Sequence, residues 1–211
     1  MNSENATNDI TIIGLIGKKR AGKDTFADYL VEKYGFIKLA FADPIKEVAS
    51  IILNIDHDKI KEIDKEKILP DYDISLRQFY QIFGTELMRN EIYKYLPQLE
   101  KKIPRASIWI YNLLKKIENL KSKGYTKFVI SDVRFNDEAQ ELYNNKGILV
   151  KILNEKAELN CDEHVSEKGI NNISSKIIKY TIHNNYTLKD YYNTIMALMN
   201  DLGEIRQNTI S

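Results

Sequence analysis

ITIIGLIGKKRAGKDTFADYL, residues Ile10–Leu30, decides the fold. Ile10–Ile16 is a short apolar run rich in β-branched residues, the pattern of a fully buried strand. Gly17 ends it. Gly17-Lys-Lys-Arg-Ala-Gly22-Lys23 then sets four residues between two glycines, followed by lysine, which is the spacing of a phosphate-binding loop. From Asp24 onward Phe26, Leu30 and Val31 recur at helical intervals, so the loop opens a helix. Glycines permit a tight turn that aims backbone N–H groups inward, and the helix N-terminus adds positive partial charge. Lys23 can then reach the β- and γ-phosphates of a nucleotide.

Where Ser or Thr usually follows the lysine and ligates Mg²⁺, this chain has Asp24 and then Thr25. A carboxylate beside a triphosphate repels it unless a cation intervenes. Asp24 is therefore expected to face Mg²⁺ or a Mg²⁺-bound water, with the Thr25 hydroxyl available to a phosphate. The alternative, a charge that merely favours the first helical turn, is compatible with this role.

The chain has 211 residues, enough for one α/β domain with a small inserted subregion. A net charge of +1, with 29% charged residues, suggests neither nucleic acid nor a membrane surface as the main partner. Cys161 is the single cysteine, which excludes an intramolecular disulfide framework and a cysteine zinc cluster. No run approaches the ~20 apolar residues of a membrane span. Met1–Asn8 is polar without the order of a signal peptide, so a cytoplasmic location is expected.

Further along, Gly35 reads as a helix stop, Phe36–Phe41 as a strand, and Pro44 as the first position of a helix reaching Leu53. Asp56–Asp73 is dense in charge and reads as an exposed, mobile excursion. Ser75 suits the cap of a helix in which Leu76, Phe79, Tyr80, Phe83 and Leu87 recur, interrupted by Gly84. A further helix is expected from about Ala106 to Lys121. Lys127–Ser131 and Ile148–Leu153 read as strands around a helix at Asp137–Asn144. Glu155–Ile173 reads as a polar loop, Tyr180–His183 as a last strand, and Leu188–Leu202 as a last helix. Strands alternating with helices predict a parallel sheet covered on both faces, with ligands at the carboxyl ends of its strands.

That edge collects chemistry. Asp132 lies just past a buried strand, where an acid commonly holds Mg²⁺ through water, and Arg134 offers a planar fork for phosphate. Arg77 begins its helix and is the better acceptor-side candidate. Arg89, more than three turns on, divides evenly between site and solvated surface. Tyr80 and Trp109 could stack on a base, although aromatics at helical spacing usually build core.

Taken together, these landmarks resemble the phage-type deoxynucleoside monophosphate kinases. The resemblance rests on Gly17–Thr25, Pro44-Ile-Lys46, Leu76-Arg77 followed by Phe83-Gly-Thr-Glu86, Asp132-Val-Arg134 with Glu138, and His164-Val-Ser-Glu-Lys-Gly169, in the family's order. The family also carries Lys-Asp-Thr at the loop. The resemblance implies a three-layer α/β/α P-loop fold over residues 9–203, with a helical acceptor-binding region at about 43–123, a lid-like loop at 154–175 and flexible tails at 1–8 and 204–211. It implies γ-phosphoryl transfer from ATP, with Mg²⁺, to a deoxynucleoside monophosphate; a homodimer is compatible with it.

By the same resemblance, Gly17, Lys19, Arg20, Gly22, Lys23, Asp24 and Thr25 would hold ATP, with Asp24, Thr25 and Asp132 towards the metal. Ile45, Lys46, Arg77, Gly84, Thr85, Trp109, Asp132, Arg134, Phe135 and Glu138 would border the acceptor. Lys23, Asp132 and Arg134 would form the catalytic group, and His164, Glu167 and Gly169 the lid. A kinase of a small phosphorylated metabolite, such as phosphomevalonate kinase, shares a similar loop; Gly84-Thr-Glu86 argues for a nucleotide. A nucleotide switch would require Asn-Lys-x-Asp, whereas Asn145-Lys146 continues as Gly147-Ile148.

Overall fold

The computed structural model describes residues 10–103, 108–159 and 168–210. β1 (Thr11–Ile16), β2 (Ile37–Leu39), β5 (Lys127–Val133), β6 (Ile148–Leu153) and β7 (Ile178–His183) form a parallel sheet in the order β2-β5-β1-β6-β7. β1 sits at the centre and is buried throughout, which explains its unbroken apolar run.

Alternate residues of each strand feed opposite layers. Ile12 and Ile16 of β1, with Phe128 and Ile130 of β5, meet Leu113 and Ile117 of α6 (Ile108–Lys121) and Leu142 of α7 (Asn136–Asn144). Ile13, Leu15 and Val129 meet Phe26 and Leu30 of α1 (Lys23–Tyr34) and Ile195 and Leu198 of the last helix, Leu188–Ile210. The result is the expected three-layer α/β/α arrangement.

Four expectations away from the sheet change. The charged stretch 56–73 contains a helix, Lys59–Glu62, and half of a hairpin pairing β3 (Ile68–Leu69) with β4 (Ile74–Ser75). Its sparse apolar residues are the reason: Ile60 and Leu69 are buried with Ala49, Leu53 and Leu76. Second, the helix begun at Leu76 does not run regularly to Leu87. Ser75 caps α4 (Leu76–Gln81) through a capping box with Gln78, and a π-helix, Ile82–Glu91, follows. A Cβ on Gly84 would lie 2.5 Å from Ile45 Cδ1, and the Trp109 indole donates to the Gly84 carbonyl at 2.8 Å. The glycine thus serves a close approach to Ile45, and its carbonyl also accepts from the indole.

Third, the stretch Glu155–Ile173 opens with a helix, Glu155–Glu158, capped by the Asn154 side chain, and ends in a 3₁₀ turn, Gly169–Asn172. Fourth, the last helix reaches Ile210, so residues 204–210 are helical instead of a tail; Gly203 lies within it without breaking it.

Candidate functional site

A cavity of about 530 Å³ lies at the carboxyl ends of β1, β2 and β5. Its wall includes Lys19, Arg20, Lys23 and Asp24 from the glycine loop. Ile45, Lys46, Arg77, Gly84, Thr85 and Trp109 come from the helical region, and Asp132, Arg134, Phe135 and Glu138 from the end of β5. Gly17, Gly22 and Thr25 shape the loop and the start of α1 without lining the cavity. Gly169 does not line it either: it is buried where a Cβ would fall 2.8 Å from the Arg134 carbonyl oxygen. His164 and Glu167 lie outside the described residues.

The loop is braced from behind by residues that the sequence did not single out. Gly22 has φ 105° and its added Cβ would meet Asn184 Nδ2 at 2.3 Å, so this position requires glycine. Asn184, just past β7, donates to the Ala21 carbonyl at 3.0 Å, and the Tyr191 hydroxyl donates to the Gly22 carbonyl at 3.1 Å. No motif flags Asn184 or Tyr191, because they reach the loop only through the fold. Inside the loop the Lys23 ammonium donates to the carbonyls of Gly17 and Lys18, the latter at 2.8 Å. It curls onto the loop and remains against the cavity.

Asp24 is exposed and pairs with Lys38 of β2 at 2.8 Å. Partial burial works to raise its pKa, but Lys38 and Lys23 outweigh that and hold the carboxyl below its ordinary value. It is ionised at neutral pH and next to the Thr25 hydroxyl in sequence, a hard-oxygen pair suited to Mg²⁺ that keeps water and phosphate as its other ligands. Among the described residues no group of three or more His, Cys, Asp or Glu side chains is placed to hold a metal alone.

Asp132 is tied down differently. One carboxylate oxygen accepts the Phe41 N–H at 2.8 Å and the other the Ala42 N–H at 3.0 Å. These bonds draw the chain leaving β2 towards the end of β5, which is why β2 stops at Leu39 short of the expected Phe41. Burial raises the Asp132 pKa against Lys46 and these two N–H groups. Lys46 is fixed by Asp43 at 3.0 Å; Asp43 and Asp132 together raise its pKa in spite of desolvation. Its charge is retained at the cavity wall.

Arg89, left open by its spacing, is 6% exposed and part of the site. Its guanidinium bonds Glu138 at 3.0 Å and Asp137 through its other end, and lies 3.8 Å over the Phe135 ring. Glu138 also accepts the backbone N–H groups of Arg134 at 2.9 Å and Phe135 at 3.1 Å. One carboxylate therefore shapes the turn that presents Arg134.

The charged stretch expected to be an excursion contributes to the same wall. Ile63, Asp64, Lys65 and Glu66 line the cavity. Glu66 bridges Lys19 of the glycine loop, at 2.5 Å, and Arg77 of α4, at 3.1 Å.

A parallel sheet whose central strand enters a glycine loop and then a helix, beside a cation-lined cavity, defines a P-loop protein of nucleoside-monophosphate-kinase-like fold. Residues 11–72 and 49–195 match the family model described as deoxynucleotide monophosphate kinase. A protein of Acanthamoeba polyphaga mimivirus, whose assignment as a deoxynucleotide monophosphate kinase is itself provisional, is 30% identical over 201 residues, 93% of this chain and 100% of that one. The chain belongs to the deoxynucleotide monophosphate kinase family, and it is a phosphotransferase with a phosphate group as acceptor.

Among solved structures, a dephospho-CoA kinase from Campylobacter jejuni overlays with a TM-score of 0.47 at 15% identity, covering 92% of this chain and 98% of that one. A shikimate kinase from Acinetobacter baumannii, in complex with shikimate, gives 0.44 at 14% identity, covering 93% and 96%. No helix among the described residues is long and apolar enough to cross a membrane.

Proposed function

We propose that the protein transfers the γ-phosphoryl group of ATP to the phosphate of a deoxynucleoside monophosphate. An acceptor phosphate oxygen attacks the γ-phosphorus, the bond to the β–γ bridging oxygen breaks, and ADP leaves. The observation that carries this reading is the meeting of Lys23 with Lys46, Arg77 and Arg134 around one cavity walled by Tyr80, Trp109 and Phe135. Cations at both ends of a phosphate chain, with aromatic rings for a base, suit two nucleotides held end to end.

Such a transfer needs positioning and charge neutralisation far more than covalent participation. Lys23 and the loop N–H groups hold the donor phosphates. Lys46 and Arg77 grip the acceptor phosphate, and Arg134, set by Glu138, faces the transferring group. Asp24 and Thr25, with Asp132 behind them, would hold Mg²⁺, which supplies further neutralisation of the phosphate oxygens. Water must be kept from the γ-phosphoryl group; the segment 63–66, which lines the cavity, is suited to that task.

The test is a panel. Purified protein is incubated with Mg-ATP and each deoxyribo- and ribonucleoside monophosphate, and products are separated by ion-exchange chromatography. A deoxynucleoside diphosphate formed with at least one acceptor is the expected result. Turnover only with a non-nucleotide phosphate would replace this reading.

A further inference from the structure

We propose that Lys65 contacts the phosphate chain of the bound nucleotides, bringing to the site a cation from outside both the glycine loop and the acceptor helix. This inference rests on the kinase reading and concerns a stretch in which no motif can be recognised.

The position of Lys65 is fixed by its neighbours. Its carbonyl accepts the Arg77 N–H at 2.8 Å, and the adjacent Glu66 carboxylate holds both Lys19 and Arg77. Ile60 and Leu69 anchor either side of the segment in the cluster of Ala49, Leu53 and Leu76. So placed, the exposed Lys65 side chain lies on the rim of the cavity.

Its electrostatic surroundings are unfavourable for a lysine. Among the described residues Lys65 makes no ion pair, whereas Lys46 has Asp43 and Arg77 has Glu66. Partial loss of hydration against the cavity wall, then the like charges of Lys46 and Arg77, push its pKa below the ordinary lysine value, and Asp24 opposes them only in part. A surface lysine with no role would swing into water on its flexible stem. Here it shares a cavity wall with Lys46 and Arg77, a cost that a bound polyanion reverses.

Inorganic tripolyphosphate is the probe, with affinity measured by calorimetry on the full chain at fixed ionic strength. Lys65→Met should weaken binding by about 10- to 100-fold, the range for a lost charge-assisted contact, and Lys65→Arg should restore it to within about threefold. Lys67→Met removes the same charge two residues away, outside the cavity lining, and should change affinity by less than about twofold, because exposed charges at a distance are screened. Thermal midpoints of all three variants should match that of the unsubstituted protein. Equal losses in Lys65→Met and Lys67→Met overturn the proposal, as does unchanged affinity in Lys65→Met or a loss that tracks a lowered thermal midpoint. The comparison involves no transfer reaction, so failure of the kinase reading would show in the acceptor panel and not here.

Discussion

Arg89 and Glu138, 49 residues apart in sequence, form a 3.0 Å ion pair with side chains only 6% and 4% exposed. The pair joins the π-helix to the turn after β5, and its carboxylate also organises the backbone of Arg134 and Phe135. Removing one partner of a buried pair strands the other charge, which costs about 3–5 kcal/mol. Above about pH 7, where Glu138 is ionised, Arg89→Ala should therefore lower unfolding free energy in urea by about that amount. A loss below about 1 kcal/mol would mean that the pair is solvated and does not organise the turn.

Glu138 should also leave a mark on the pH dependence of stability. Burial pushes its pKa from 4.5 to about 7, more than the Arg89 guanidinium offsets. A carboxyl raised on folding binds more protons in the native than in the unfolded chain between those values, so stability falls as pH rises from about 4.5 to about 7. Urea unfolding on either side of that window should show the decline in the unsubstituted protein and its absence in Glu138→Gln. Parallel profiles for the two proteins would count against the assignment.

Lys23→Ala should abolish transfer and leave the fold intact. The side chain donates to two carbonyls of its own loop, Gly17 and Lys18, and a preorganised cation of this kind is worth roughly 10²- to 10³-fold in rate. Turnover above a tenth of the unsubstituted rate, with an unchanged far-ultraviolet spectrum, would remove Lys23 from the donor site.

For Asp24 the readout is metal. Its exposed pair with Lys38 should contribute at most about 1 kcal/mol to stability, so Asp24→Asn should unfold like the unsubstituted protein. If the carboxylate faces Mg²⁺, the variant will need several-fold more Mg²⁺ for half-maximal turnover while ATP affinity changes less. Identical Mg²⁺ titrations would leave Asp24 only its place beside Lys38 in the first helical turn.

Arg77→Ala separates acceptor from donor. A charge-assisted contact to phosphate in a closed site is worth roughly 2–4 kcal/mol. Use of the monophosphate should fall by ~30-fold to ~1000-fold, with ATP affinity, measured without acceptor, nearly unchanged. An equal fall in ATP affinity would shift the acceptor role to Lys46, which is fixed on the same wall by Asp43.

What could be read from the sequence followed local periodicity. The buried run before Gly17, the helix after Lys23 and the strand at Lys127–Ser131 depend on residues adjacent in the chain, and each forms where its pattern indicated, the last running on through Asp132 to Val133. Arg89 was undecided because its partners, Asp137 and Glu138, lie on a distant helix and no helical spacing connects them. Asn184 and Tyr191 were missed for the same reason: they brace the loop from just past β7 and from the last helix. The stretch 56–73 was misread because its charge dominates its composition, while two apolar side chains, Ile60 and Leu69, suffice to seat it.

The central claim is tested most directly by following ATP labelled in its γ-phosphate, with Mg²⁺ and a deoxynucleoside monophosphate that the panel identifies. Label should appear in the β-phosphate of the deoxynucleoside diphosphate, in step with ADP, and should stay in ATP when the acceptor is omitted. Label released as inorganic phosphate at the same rate with or without acceptor would contradict the account, making the protein a nucleotide hydrolase whose second cavity end holds no acceptor.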